Sequence, residues 1–179
     1  MKIILIFLLF YAVLIKSQSF KLGFDIEAHQ IRISDQYGEK EILGGNGLPI
    51  SIHFVTTYNP KSKIAIQSKI GRTLHSEFFG WEFGINGYYK FYKPFYISGG
   101  ILQHSNEGGV VSNQLYISYA SLLMLKAGFG IDIFKTFSIE VDYYVPTQKK
   151  VIIKSGIAKR FSEKIENMFR LSFIWAWEI

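Results

Sequence analysis

The chain has 179 residues, no cysteine and a formal net charge of +6, and 49% of its residues are hydrophobic. Without cysteine the protein has neither disulfide staples nor thiolate chemistry, and its basic residues are too scattered to form a nucleic-acid-binding patch. The 16 glycines, 4 prolines and 17% aromatic residues, with no helical heptads, indicate an all-β protein.

An apolar run over residues 3–15 follows a short basic start. It is shorter than the about 20 residues that span a bilayer, but it suits the hydrophobic region of a secretory signal peptide. Cleavage after Ser17 or after Ser19 would leave a small residue at the cut. We predict a signal peptide over residues 1–17 and a single mature domain over residues 18–179, with an uncleaved membrane anchor as the alternative.

Nine segments with a period of two follow, each predicted to be a β-strand. They cover residues 20–28, 48–58, 64–72, 79–91, 95–103, 115–134, 137–145, 151–161 and 168–179. Short turns alternate with long polar stretches at residues 29–47 and 104–113, an asymmetry typical of outer-membrane barrels. A single-chain bacterial barrel has an even number of strands, so one of the nine assignments is wrong or residues 115–134 hide another strand. We predict a single antiparallel up-and-down transmembrane β-barrel of about eight strands, with ten as the alternative.

Each predicted strand has one apolar face and one polar or small face. Alternation alone does not say which face points inward, because a soluble lipocalin-like barrel would turn the apolar face to its interior. Strands of about ten residues and a strongly aromatic apolar face favour the membrane barrel. Lipid-facing aromatic residues are expected at Trp81, Phe83, Phe129, Phe173, Trp175 and Trp177. An inward network of paired charges is expected at Asp25, Glu27, Lys69, Glu82, Lys126, Glu140, Asp142, Lys154 and Arg170.

The signal peptide, the alternating hairpins, the glycines on the polar faces and the aromatic last strand together resemble the small outer-membrane β-barrel superfamily of the OmpX and OmpW kind. The resemblance covers essentially the whole chain. It implies export to the outer membrane of a Gram-negative bacterium, contact with outer-membrane lipid and lipopolysaccharide, and insertion by the barrel-assembly machinery. No cofactor and no metal are expected, because the histidines have no partners at ligand spacing in the sequence.

An eight-stranded barrel has a lumen that side chains fill, so the expected function is non-enzymatic. Residues 29–47 and 104–113 would then act as external loops in adhesion, envelope integrity or the binding of an external protein partner. One alternative is a narrow OmpW-like channel for small apolar solutes, with Val55, Leu102 and Ile152 on the inner face. Another is a soluble carrier that holds its ligand against an inward apolar face.

The candidates for chemistry are His104, Ser105 and Glu107. This stretch resembles the His-x-Ser-Asn segment of lipid A deacylases, which are barrels that use a histidine, a serine and an acid. The spacing of that family is not met, because adjacent residues of a strand point to opposite faces. A polar loop at the external rim is therefore the favoured interpretation, and a lipid A-modifying hydrolase is the enzymatic alternative.

Overall fold

The computed structural model describes residues 19–34, 37–43, 48–75, 78–107, 109–112, 115–118, 121–147, 151–156 and 160–179. Side chains are not described at residues 43, 109–112, 115–118, 151–156 and 160–163. The predicted signal peptide lies outside the described residues and stays a prediction. In the described part of the chain, no helix is long and apolar enough to cross a bilayer.

The described residues form twelve β-strands, and every pairing between them is antiparallel. In chain order they are β1 (Ser19–Ser34), β2 (Lys40–Leu43), β3 (Ile50–Lys61), β4 (Ile64–Leu74), β5 (Gly80–Tyr92), β6 (Phe95–Asn106), β7 (Gly109–Ser112), β8 (Leu115–Ser118), β9 (Leu122–Phe134), β10 (Phe137–Pro146), β11 (Val151–Gly156) and β12 (Arg160–Glu178). Their alternating β-branched, aromatic and small residues suit a pleated sheet that is different on its two sides.

Eight long strands among those described close into a barrel, in the order β1-β3-β4-β5-β6-β9-β10-β12. The closing pair is β1 with β12, from Lys21 opposite Glu178 to Ser34 opposite Lys164. Closure leaves no open sheet edge along the barrel wall, as a membrane-spanning sheet requires. The predicted all-β, antiparallel barrel of about eight strands is confirmed.

The odd count of nine predicted segments has a structural cause. The segment predicted over residues 151–161 contains β11 and the first two residues of β12. β11 pairs with the start of β12 and is not one of the eight strands that close the barrel. Residues 162–167, between the last two predicted segments, were expected to connect two strands, but they belong to β12. The segment over residues 115–134 divides into β8 and β9, and β8 pairs with β11.

The two ends of the barrel differ. At one end, which we call the turn end, two-residue turns join β3 to β4, β5 to β6, and β9 to β10. At the opposite end, which we call the loop end, β2 extends the sheet beside β1, and β11, β8 and β7 extend it beside β12. The predicted asymmetry between short turns and longer connections is therefore present.

The charged face of the strands points inward and the apolar face points outward. Asp25, Glu27 and Glu82 are at most 2% exposed, whereas Phe24 and Phe83 are 52% and 48% exposed. A soluble barrel would show the reverse arrangement. The ambiguity left by the alternation is therefore resolved in favour of a lipid-facing exterior.

Near the loop end the two faces exchange polarity. In β1, Ile31 and Ile33 point into the barrel, while Gln30 and Arg32 are exposed. The two isoleucines belong to an apolar cluster inside the barrel, which consists of Ile31, Ile33, Phe78, Leu102, Leu122, Met124, Tyr144, Ile165 and Met168. The prediction of a loop from residue 29 was wrong, because the strand continues beyond the apolar band with polar residues outside.

Candidate functional site

The centre of the lumen is built around Arg170, which β12 directs inward. Its Nη1 and Nη2 donate hydrogen bonds to Oε2 and Oε1 of Glu82, at 2.8 and 2.6 Å. Nη1 also donates to Glu27, and the guanidinium lies 4.7 Å from the centre of the Tyr144 ring. One buried arginine thus links the carboxylates of β1 and β5 from β12, and the fork geometry fits a carboxylate in a bidentate manner.

Lys69 and His53 surround the same two carboxylates. The Lys69 ammonium donates to Glu27 and, at 3.1 Å, to the Tyr144 hydroxyl. Nε2 of His53 lies 2.8 Å from Oε2 of Glu82. Each acid of this group therefore has donors from several neighbouring strands, which compensates part of the cost of removing it from water.

A second charged group lies further toward the turn end. Nζ of Lys126 is 2.8 Å from Glu140 Oε1 and 3.0 Å from Asp142 Oδ2. The Tyr96 hydroxyl donates to Glu140 at 3.1 Å. Ser172 donates to Glu27 at 3.3 Å and to Asp142 at 3.4 Å, so it connects the two groups.

Apolar side chains lie inside the described part of the barrel toward the loop end, and a cavity enters the lumen from the turn end. Phe78 stacks on His104 with ring centroids 3.8 Å apart and caps the apolar cluster above the charges. At the turn end a cavity of about 60 Å³ is lined by Gln67, Tyr88, Tyr96, Asp132 and Ile174, among others. Between these two ends, the described inward side chains of the strands are largely buried and fill much of the lumen.

The predicted network residues Asp25, Glu27, Lys69, Glu82, Lys126, Glu140, Asp142 and Arg170 all lie in this lumen. Lys154 lies in β11, where side chains are not described. The predicted lipid-facing residues Trp81, Phe83, Phe129, Phe173, Trp175 and Trp177 lie on the outer face. Trp175 packs there against Phe137, with ring centroids 4.8 Å apart.

The three candidates for chemistry do not form a catalytic group. The sequence had predicted an external rim for His104, but His104 is a fully buried residue of β6. Its Nδ1 lies 2.9 Å from Glu82 Oε1, while Ser105 takes the opposite face of the strand. Glu107 pairs outside the barrel with Arg72. The polarity reversal near the loop end explains the error, since polar residues there mark a strand and not a loop.

Sequence reasoning gave no lumenal role to His29 or Tyr144, and none to His104. His104 and Tyr144 meet the network through contacts between strands, which depend on the register: His104 Nδ1 lies 2.9 Å from Glu82, and the Tyr144 hydroxyl accepts from Lys69 at 3.1 Å. His29 Nε2 lies 3.8 Å from Glu27 Oε2 of its own strand. Alternation did place His53 and Tyr144 on the polar faces of their strands, which was the available signal.

The comparisons with known proteins agree with this architecture. No protein-family model and no curated protein matches the chain. The solved structure of the outer-membrane protein AlkL in lipid bilayers is similar at a TM-score of 0.51, with 11% identity over 90% of each chain. Neisserial surface protein A is similar at 0.48, with 13% identity over 92% of this chain and 100% of that one. The β-barrel domain of OprF from Pseudomonas aeruginosa is similar at 0.43, with 13% identity over 86% and 97%.

The fold is that of the small outer-membrane β-barrels. The predicted resemblance to that superfamily is therefore confirmed at the level of the fold. Identities this low show the architecture and leave the activity to the residues of this chain.

Proposed function

We propose that this protein is a non-enzymatic outer-membrane barrel of a Gram-negative bacterium, which anchors a recognition surface at its loop end. The observation that carries the proposal is an apolar exterior around a lumen that is filled with paired charges. In water, such an arrangement would expose the apolar face and bury the charges, and both are unfavourable. In a bilayer the apolar face contacts lipid, so its exposure becomes favourable.

The height of the apolar exterior fits a bilayer. On β5 the outward residues run from Trp81 to Phe91, through Phe83, Ile85 and Tyr89. Ten residue steps on a strand tilted as in outer-membrane barrels span about 25 Å, which is the usual height of their apolar band. Aromatic residues near both limits of the band suit the two headgroup regions.

The filled lumen supports a role as an anchor rather than as a channel. In the alternative of a narrow channel, Leu102 was one of three apolar residues expected on the inner face, and it packs there in the apolar cluster with Met124 and Met168. Arg170, Lys69 and Lys126 are buried in the lumen below that cluster, which supports an anchor. We therefore propose that the function lies at the surface that the barrel presents.

That surface is the sheet extension at the loop end. In outer-membrane barrels the short turns face the periplasm and the longer connections face outward. Here β7 pairs with β8 on one side and, among the described strands, with none on the other. An unpaired strand edge can receive a strand from a partner through main-chain hydrogen bonds. We propose that a protein partner docks on this edge.

Cysteine labelling in living cells tests the proposed orientation, because an introduced cysteine would be unique in this chain. Lys40→Cys places a thiol in β2 at the loop end, and Ser62→Cys places one in a turn at the other end. A membrane-impermeant maleimide added to intact cells should label Lys40→Cys alone, and both variants after lysis. Labelling of Ser62→Cys in intact cells, or of neither variant after lysis, would contradict the proposal.

A further inference from the structure

Three hydrogen-bond acceptors converge in the lumen between β1 and β3. Nδ1 of His53 lies 3.9 Å from Oδ2 of Asp25 and 4.0 Å from Oε2 of Glu27. One ligand atom from each of the three residues lies within 4.8 Å of the others, and all three residues are buried. The strand register produces the cluster, because Asp25 is directly opposite His53 and Glu27 is two residues further along the same face.

The proton of His53 is on its other nitrogen. Nε2 lies 2.8 Å from Glu82 Oε2, and a carboxylate can only accept, so Nε2 carries the hydrogen. Nδ1 is then left with a lone pair directed at two carboxylates. This is the arrangement of a metal-binding histidine, whose second nitrogen donates to a carboxylate that fixes the tautomer.

Unpartnered buried atoms give a second observation. Nδ1 of His53 and Oδ1 of Asp25 make no hydrogen bond, although the two residues are 0% and 2% exposed. Both ring nitrogens of His29 are also without a hydrogen-bond partner, in a residue that is 1% exposed. Buried polar atoms are rarely left unsatisfied, and a bound ion is one of the groups that satisfies them.

The charges of the lumen leave room for a cation. Among the described residues, the two groups hold the carboxylates of Asp25, Glu27, Glu82, Glu140 and Asp142 against the cations of Lys69, Lys126 and Arg170. Five acidic side chains therefore share three cations, so the lumen holds more acids than basic partners for them.

We propose that Asp25, Glu27 and His53 bind one divalent transition-metal ion of the zinc class in the lumen. Mixed imidazole and carboxylate ligands favour such ions over calcium or magnesium, which prefer oxygen. Ligand atoms of a tetrahedral site lie about 3.3 to 3.5 Å apart, given metal bonds of about 2.0 to 2.1 Å. The separations of 3.9 and 4.0 Å exceed this by about 0.4 to 0.7 Å, and the three ligand atoms all lie within 4.8 Å of one another, so the side chains must draw together to bind an ion. His29, at 3.8 Å from Glu27, supplies a fourth donor.

The neighbouring residues fit this role. Arg170 and Lys69 hold Glu27 in place by hydrogen bonds, and Glu82 orients His53. The cavity at the turn end is lined by Ile174, the residue paired with Asp25 in the sheet, so it approaches the site from that side. The apolar cluster closes the other side. The proposed site therefore lies between the turn-end cavity and the apolar cluster.

Zinc titration of the full-length folded barrel in detergent, free of a histidine tag and treated with a chelator, tests the site. Calorimetry should show one Zn²⁺ per chain, and Co²⁺ should give the visible bands of a tetrahedral complex. Asp25→Asn, which removes a ligand, should weaken binding at least about 10-fold. Glu82→Gln, which perturbs the group that orients His53, should weaken it about 10- to 100-fold.

Asp142→Asn is the matched control, because it removes a carboxylate that is equally buried and also has an unpartnered oxygen. It should bind zinc like the unchanged protein, and equal losses in Asp142→Asn and Asp25→Asn would overturn the proposal.

If Asp25→Asn fails to form a barrel, electron paramagnetic resonance of Cu²⁺ bound to the unchanged protein decides. Imidazole nitrogen splitting supports the site, and a spectrum with oxygen ligands alone, or no saturable binding, rejects it. None of these results depends on the orientation of the loops, so this inference and the proposed function fail separately.

Discussion

Arg170 and Glu82 are joined by two hydrogen bonds across the barrel, at 2.6 and 2.8 Å, although they come from β12 and β5. Three strands lie between β5 and β12 in one direction around the wall, and three in the other. The pair therefore bridges opposite sides of the lumen. Because both side chains are fully buried, neither has water as a substitute partner.

Replacing Arg170 with methionine should destabilise the barrel strongly. The substitution leaves Glu82 and Glu27 buried without their shared cation, and breaking a buried pair in this way costs about 3–5 kcal/mol. Urea unfolding of the protein in lipid vesicles, followed by tryptophan fluorescence, measures the loss.

The exposed Arg32 of β1 provides the control for this experiment. Arg32→Met should change the free energy of unfolding by less than about 0.5 kcal/mol, as is usual for surface substitutions. Adding Glu82→Gln to Arg170→Met should restore part of the lost stability, because it removes one unpaired charge. Equal effects of Arg170→Met and Arg32→Met would contradict the paired lumen.

Substitutions on the outer face should depend on depth in the bilayer. Ile85 lies near the middle of the outward row of β5 and is 57% exposed, while Phe91 lies at its turn end. Ile85→Arg should cost about 2–4 kcal/mol, and Phe91→Arg about 0–1 kcal/mol. The same unfolding measurement in vesicles checks both, and equal costs would argue against a membrane band centred on Ile85.

Gly130 makes room for the Tyr96 ring in the lumen. A Cβ atom built on Gly130 would lie 2.2 Å from Cζ of Tyr96, so the ring would have to move away from Glu140. Gly130→Ala should therefore destabilise the barrel by about 1–3 kcal/mol. Gly99→Ala is the comparison, since its Cβ would meet nothing closer than 3.7 Å. If the two substitutions have the same effect, Tyr96 does not occupy the position described.

Much of the fold could be predicted from the sequence, because a period of two is a local property of each strand. The segment from Phe95 and the segment from Phe137 begin in the structure at the residues where they were predicted. The limits near the loop end were missed at residues 29–34 and at His104. There the strand continues after its outer face has left the lipid, so the polarity of the two faces reverses while the period stays the same.

The candidate site was only partly accessible to prediction. Alternation assigned Asp25, Glu27 and Glu82 to the polar face, but it could not say which residues meet. The contacts of His53 with Asp25 and Glu82 depend on strand register and on closure of the barrel, which join residues far apart in the chain. For the same reason the spacing of the histidines in the sequence indicated no metal site.

Ser105 should have no role in lipid chemistry. It lies on the face opposite His104, whose Nδ1 is held by Glu82. Cells that make the unchanged protein, cells that make Ser105→Ala and cells that lack the protein should have the same lipid A acylation by mass spectrometry. Loss of an acyl chain that requires Ser105 would contradict the non-enzymatic proposal.

The central claim is that the aromatic face meets lipid around a closed, charged lumen. Fractionation of cells that express the full chain, followed by electrophoresis with and without boiling, tests it most directly. We predict that the protein is in the outer-membrane fraction and that its migration changes on boiling, because a closed barrel unfolds only then. A protein in the soluble fraction whose migration does not change would contradict the claim and would favour a carrier with its apolar face inside.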